Sequence, residues 1–140
     1  MKIESRIARV NTSEQQVYKF IADFRNFNNF IPEEQISNWN AEEDSCSFSV
    51  QALGSVSLNM IEREANKLVK IASDPGKSSQ NFTLWIQIKE VEENDSRVKI
   101  TIEPQVNAMM AAMVKGPLKK FVDQLASQIE QFDFSQTASN

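Results

Sequence analysis

Residues able to do acid–base or metal chemistry are few here. The sequence has no histidine and one cysteine, Cys46. The lack of histidine removes the commonest general base and the commonest metal ligand together. A lone thiol leaves a transition metal little to hold, so no metal site and no cofactor is expected. Carboxylates are plentiful, at Glu33-Glu34, Glu42-Glu43-Asp44, Glu62, Glu64 and from Glu90 to Asp95. Nearly all fall in turns or on polar faces, where solvation accounts for them. A catalytic acid or base needs a carboxylate held in a dry pocket, and strand parity offers Glu62 as the only, weak candidate. Cys46 alternates with Phe48 and reads as an inert buried thiol. No catalytic residue is assigned, and the balance leans away from an enzyme without deciding the matter.

The sequence is richer in apolar residues suited to binding. Met109, Met110 and Met113 cluster beside Ala108, Ala111 and Ala112, with Met60 proposed across from them. Methionine adapts to varied apolar shapes and alanine leaves room, so the cluster reads either as a pliable pocket wall or as ordinary core filling. Phe20, Phe24, Phe27 and Phe30 lie in one neighbourhood. Phe20 and Phe24 share a stripe with Val17 and read as anchors for helices that would be marginal alone. Phe27 and Phe30 are open to a gating role. Inward strand positions complete the candidate ligand-binding set: Phe48, Val50, Leu58, Met60, Ile71, Phe82, Leu84, Ile86 and Ile100. Ser5, Ser73 and Asn107 either orient a ligand or are hydrogen-bonded residues at element ends. Trp39 and Trp85 fall on the opposite, convex side, for cross-strand packing or an oligomer contact.

The elements that must position these residues follow from periodicity. Residues 2–10 alternate as an opening strand, with Ile3, Ser5 and Ile7 on one face. Asn11-Thr12-Ser13-Glu14 is an N-cap cluster, and Val17, Phe20, Ile21 and Phe24 follow at helical spacing. Asp23 can cap a second short helix carrying Phe27, Phe30 and Ile31, which Pro32 ends. From Gln35 to Glu103 the period is two, with turn signals at Glu42-Glu43-Asp44, Leu53-Gly54, Ala65-Asn66, Asp74-Pro75-Gly76 and Glu93-Asn94-Asp95. This predicts an antiparallel meander with one wet face and one dry face. A long helix is expected from about Val106 to about Phe132, with the stripe Met110, Val114, Leu118, Phe121, Leu125, Ile129 and Phe132. Pro117 should kink it without breaking it.

The chain of 140 residues suits one domain, expected over 1–133 with a polar tail at 134–140. The net charge of −4 comes from 15 basic residues scattered among 19 acidic ones, which disfavours nucleic acid and anionic membrane as partners. The run Lys115, Lys119, Lys120 reads as a solvated helix face. No apolar stretch reaches transmembrane length, so no membrane insertion is expected. The N-terminus lacks the apolar run of a signal peptide, and a cytoplasmic monomer or weak homodimer is the expectation.

The order strand, helix, helix, meander, long helix resembles the helix-grip fold of the SRPBCC superfamily, which includes START-like and polyketide cyclase/dehydrase-like proteins. The resemblance is carried by Ile3–Val10 running into Asn11-Thr12-Ser13-Glu14, by Phe20–Phe24 leading to Pro32, by the hairpin Ala52-Leu53-Gly54-Ser55-Val56, and by Met109-Met110 through Lys115-Gly116-Pro117-Leu118 to Leu125. It implies an α+β fold: a curved antiparallel sheet of six to seven strands around the C-terminal helix, with two short helices after the first strand. It also implies a cavity between sheet and helix for a lipid, sterol or polyketide-like molecule. Binding or transport of such a ligand is the leading expectation. A cyclase- or dehydratase-like enzyme and a co-chaperone-like interaction module are the alternatives, since one fold hosts many functions.

Overall fold

The computed structural model describes residues 1–30, 36–50, 54–78 and 81–134. The opening strand is in two pieces, β1 (Ile3–Glu4) and β2 (Ala8–Val10), both paired antiparallel with the last strand, β8 (Asp95–Pro104). Ser5 causes the interruption. Its Oγ accepts the Ile100 amide N–H at 2.9 Å and donates to the Arg6 carbonyl at 2.7 Å, so a side chain stands where the backbone ladder would continue. The parity slips there. Ile3 and Ser5 are buried, then Ala8 and Val10, and Ile7 turns out to solvent, which corrects the uninterrupted alternation expected over residues 2–10.

Helix α1 (Glu14–Ile21) begins at the expected cap: Ser13 Oγ accepts the Gln16 N–H at 3.2 Å. It buries Val17, Phe20 and Ile21. The second short helix is a tighter 3-10 turn (Phe24–Asn29), capped by Asp23 accepting the Arg25 N–H at 2.9 Å. The expected terminator Pro32, with Ile31 and Glu33-Glu34, lies outside the described residues, as do Ala52 and Leu53 of the hairpin.

The meander is β3 (Ile36–Ala41), β4 (Ser45–Val50), β5 (Gly54–Glu64), β6 (Leu68–Ser73), β7 (Phe82–Glu92) and β8. The sheet runs β1-β8-β7-β6-β5-β4-β3, with β2 also on β8. Among the described residues it has eight strands, or seven with β1 and β2 counted as one split opening strand, in keeping with the six to seven expected. Asn66 and Asn94 make the left-handed turn positions, with φ of 67° and 57°. Inward residues line up across strands, as in Ile3–Ile102–Leu84–Ile71–Met60 and Ile100–Ile86–Val69, and form the dry face.

Edge strand β3 breaks the alternation. Asn38 takes φ 57° and the register shifts between Ser37 and Asn40. Ile36 pairs with Val50 and Ala41 with Cys46, so residues that strict alternation would set on opposite faces share one. The bulge turns Trp39 to the concave side, its ring 5.6 Å from that of Phe48. This corrects the convex placement of Trp39. Trp85 does lie on the convex face, in register with Lys70 and Thr101, with the Lys2 and Lys70 ammonium groups 4.8 and 5.5 Å from its ring centre.

Helix α2 (Ala108–Gln131) starts from Asn107, whose Oδ1 accepts the Met110 N–H at 2.9 Å, and runs unbroken through Pro117. It lies against β8, β2 and β1. Phe134 is buried beyond its end, so the packed chain reaches past the expected boundary at 133.

Candidate functional site

One end of the space between sheet and α2 is filled. Phe20 meets Phe132 at 4.6 Å, Phe30 at 5.4 Å and Phe134 at 5.6 Å between ring centres, and Phe24 meets Phe27 at 4.9 Å. Most of these pairs are edge-on, the arrangement ring quadrupoles favour. Phe27 and Phe30, the candidate gates, are both buried in this cluster. Val122, Leu125, Ala126 and Ile129 close α2 onto the same core.

A polar stripe sets the position of α2 along the sheet edge. Lys119 Nζ donates to the Glu4 carbonyl at 2.9 Å. Asp123 Oδ1 accepts the Arg6 amide at 2.7 Å, and Ser127 Oγ accepts from the Arg6 guanidinium at 3.0 Å. Glu130 pairs with that guanidinium at 2.8 Å and accepts the Arg9 amide at 2.7 Å. The hydrogen bond from Arg6 holds the Glu130 carboxyl below its usual range. At Asp123 burial opposes the charge, but the Arg6 amide and Lys119 outweigh it and the pKa is lowered. These residues recur at four, four and three positions along the helix. That spacing was the available signal for a contact the sequence reading missed.

The other end is looser on both banks. On the sheet, Ile36, Trp39, Phe48, Val50 and Phe82 are only half-buried, while Leu58, Met60, Ile71, Leu84, Ile86 and Ile100 lie at the dry base. On the helix, Ala111, Val114 and Leu118 are half-buried, and Met110 and Phe121 are each 38% exposed. Phe82 pairs with Pro104, just before the chain turns into α2, so the half-covered parts of sheet and helix share one end of the fold. Met109 and Met113 are 77% and 68% exposed. On a helical projection they lie away from the Leu125–Ile129 line, so the three methionines do not form a single wall.

Polar groups near this space are engaged in structure. Ser73 Oγ accepts the Phe82 amide at 2.9 Å, Ser5 completes the β1–β8 junction, and Asn107 caps α2. Burial pushes the Cys46 thiol up to about 12. Glu62 follows a register shift on β5 and is exposed, so the carboxylate singled out by parity stands in water and not in a pocket. A cleft of about 550 Å³ beside α1 is lined by Tyr18, Asp23, Arg25, Glu43 and Arg63 among others. Its two arginines already have partners: Arg25 pairs with Asp23 at 2.6 Å, and Arg63 donates to the Ala22 carbonyl at 3.0 Å. Among the described residues no group of His, Cys, Asp and Glu is arranged to hold a metal, and no helix is long and apolar enough to cross a membrane.

Comparison with solved structures places the fold. A START superfamily protein from Mycobacterium smegmatis superposes with a TM-score of 0.73 at 11% identity, over 92% of this chain and 94% of that one. A conserved protein from Geobacillus kaustophilus gives 0.72 at 12% identity, over 97% and 95%. A norcoclaurine synthase point mutant from Thalictrum flavum, in complex with a transition-state analogue, gives 0.67 at 12% identity, over 92% and 93%. No protein-family model matches the sequence, and no curated protein sequence matches it. The shared property is the fold.

Proposed function

From the START-like helix-grip fold of this chain, we propose that it binds an apolar small molecule between the concave face of the sheet and the first half of α2. The observation that carries this is the uneven packing of that helix. Its second half is sealed by Val122, Leu125, Ala126 and Ile129, while Met110, Val114, Leu118 and Phe121 of the first half keep exposed surface. Phe48, Val50 and Phe82 keep exposed surface on the sheet at the same end. Apolar surface left on two facing banks gains about 25 cal/mol per Å² when a third apolar body covers it. In this reading Leu58, Met60, Ile71, Leu84, Ile86 and Ile100 form the base and Phe27 and Phe30 support the closed end, while Met109 and Met113, on the outer side of α2, take no part in it.

The walls favour carriage over chemistry. They are hydrocarbon, thioether and aromatic, with a thiol held protonated at Cys46 and a hydroxyl at Ser73 already bonded to backbone. Native mass spectrometry of gently purified protein, followed by solvent extraction, tests the proposal. We expect a non-covalent adduct that solvent removes and that Leu118→Trp, which fills the space, abolishes. Protein that carries no adduct and takes up no fatty acid, sterol or polyketide from a supplied panel would overturn it.

A further inference from the structure

The first half of α2 has a second apolar face that the proposed chamber does not use. Met109 and Met113 are separated by one helical turn, and Lys120 continues the same line one turn past Gly116. Pro117, Met110 and Phe121 lie beside this line, on the side away from the Lys119–Asp123–Glu130 stripe that faces β1 and β2. A Cβ added at Gly116 would meet nothing within 4 Å, so the face is open.

Its charge is as uneven as its packing. The molecule carries a net charge of −4, yet from Pro104 to Val122 there are three lysines and no carboxylate. Lys119 is engaged with Glu4 and Asp123. Among the described residues Lys115 and Lys120 have no ion-pair partner. Repulsion by the rest of an acidic protein does not cancel this. Screening limits each charge to about 8 Å at physiological ionic strength, so a surface meeting α2 feels mainly the local lysines.

We propose that this face docks peripherally on an anionic lipid bilayer, with Met109 and Met113 entering the headgroup boundary and Lys115 and Lys120 meeting lipid phosphates. Exposed methionines flanked by unpaired lysines suit a surface that is negative outside and apolar just beneath. A second copy of this chain would have to bring like-charged lysines together across a symmetric contact, which disfavours it. The proposal goes beyond ligand binding and stands whether or not the chamber is occupied. No helix crosses the bilayer in it.

Vesicle co-sedimentation of the full chain tests it, using phosphatidylglycerol/phosphatidylcholine mixtures against pure phosphatidylcholine. We expect binding to the anionic vesicles that weakens with added salt. It should fall by about tenfold or more in Lys115→Glu/Lys120→Glu and be lost in Met109→Ser/Met113→Ser. These positions are exposed, so unchanged circular dichroism and thermal midpoints should accompany the loss. Absence of binding at low salt, or binding that ignores both double variants, would overturn the proposal. So would a stable dimer in vesicle-free solution that Met109→Ser/Met113→Ser dissolves, since the face would then belong to a second copy. The adduct measured by native mass spectrometry does not depend on this face, so either proposal can fail alone.

Discussion

Arg6 and Glu130, at opposite ends of the sequence, meet at 2.8 Å, and the same carboxylate also accepts the Arg9 amide at 2.7 Å. Arg6 lies in the break between β1 and β2 and Arg9 on the edge strand β2, and α2 supplies the acceptors for both amides, Asp123 for Arg6 and Glu130 for Arg9. Glu130→Ala strands one amide and frees one guanidinium. The pair is about a third exposed, which discounts its electrostatic part. We expect a loss of about 1 kcal/mol in urea unfolding. Glu130→Gln should recover part of it, because the amide oxygen can still accept.

Acid should loosen the same junction. Glu130 and Asp123 both have lowered pKa values in the folded chain. A depressed carboxylate stabilises the fold above its unfolded pKa, about 4 for these groups, and the contribution disappears as pH falls through the folded value. Urea midpoints should therefore hold down to about pH 5 and decline below about pH 4. Glu130→Gln should make the decline shallower without removing it, because Asp123, Asp23 and Glu14 are lowered too.

The two halves of α2 should respond differently to truncation. Ile129 is fully buried, so Ile129→Ala leaves a cavity and should cost about 3 kcal/mol. Met113→Ala removes the same number of heavy atoms, but from a side chain that is 68% exposed, and should change stability by less than about 0.5 kcal/mol. Equal losses at the two sites would mean that the first half of the helix is packed in solution.

Periodicity showed the elements better than it showed where they slip. Val17, Phe20 and Ile21 on α1, and the inward residues of β5 to β8, were legible because one buried face imposes a strict repeat. Trp39 was misplaced because a bulge at Asn38 inserts one residue, and alternation carries no mark of an insertion. Ile7 was misplaced for a similar reason, through hydrogen bonds made by the Ser5 side chain. In α2 the apolar stripe was visible along its whole length, but the sheet covers only its second half. A stripe records which face is apolar and not what lies against it, so exposure at Met109 and Met113 could not be read from spacing.

Pro117 offers a test of the unbroken helix. It cannot donate to the Met113 carbonyl, and it stands exposed inside the helix. Pro117→Ala restores the missing bond and should stabilise the fold by at least about 1 kcal/mol, which is about 3 °C in thermal midpoint for a domain of this size. An unchanged or lower midpoint would indicate that the chain depends on a bend at this position.

Cys46 reports on water in the proposed chamber. It shares an inward row with Ala41, Leu58 and Ser73, next to the half-covered Phe48. Only the thiolate attacks a disulfide reagent, and with a pKa pushed up to about 12 the thiolate fraction at pH 8 is on the order of one in ten thousand. A dry wall therefore predicts negligible labelling of native protein by a charged aromatic disulfide at pH 8, and prompt labelling of one thiol per chain in guanidinium. Labelling of native protein within about tenfold of the free-cysteine rate would mean that bulk water and the reagent reach the row. The banks would then form an open groove and could not hold an apolar ligand away from solvent.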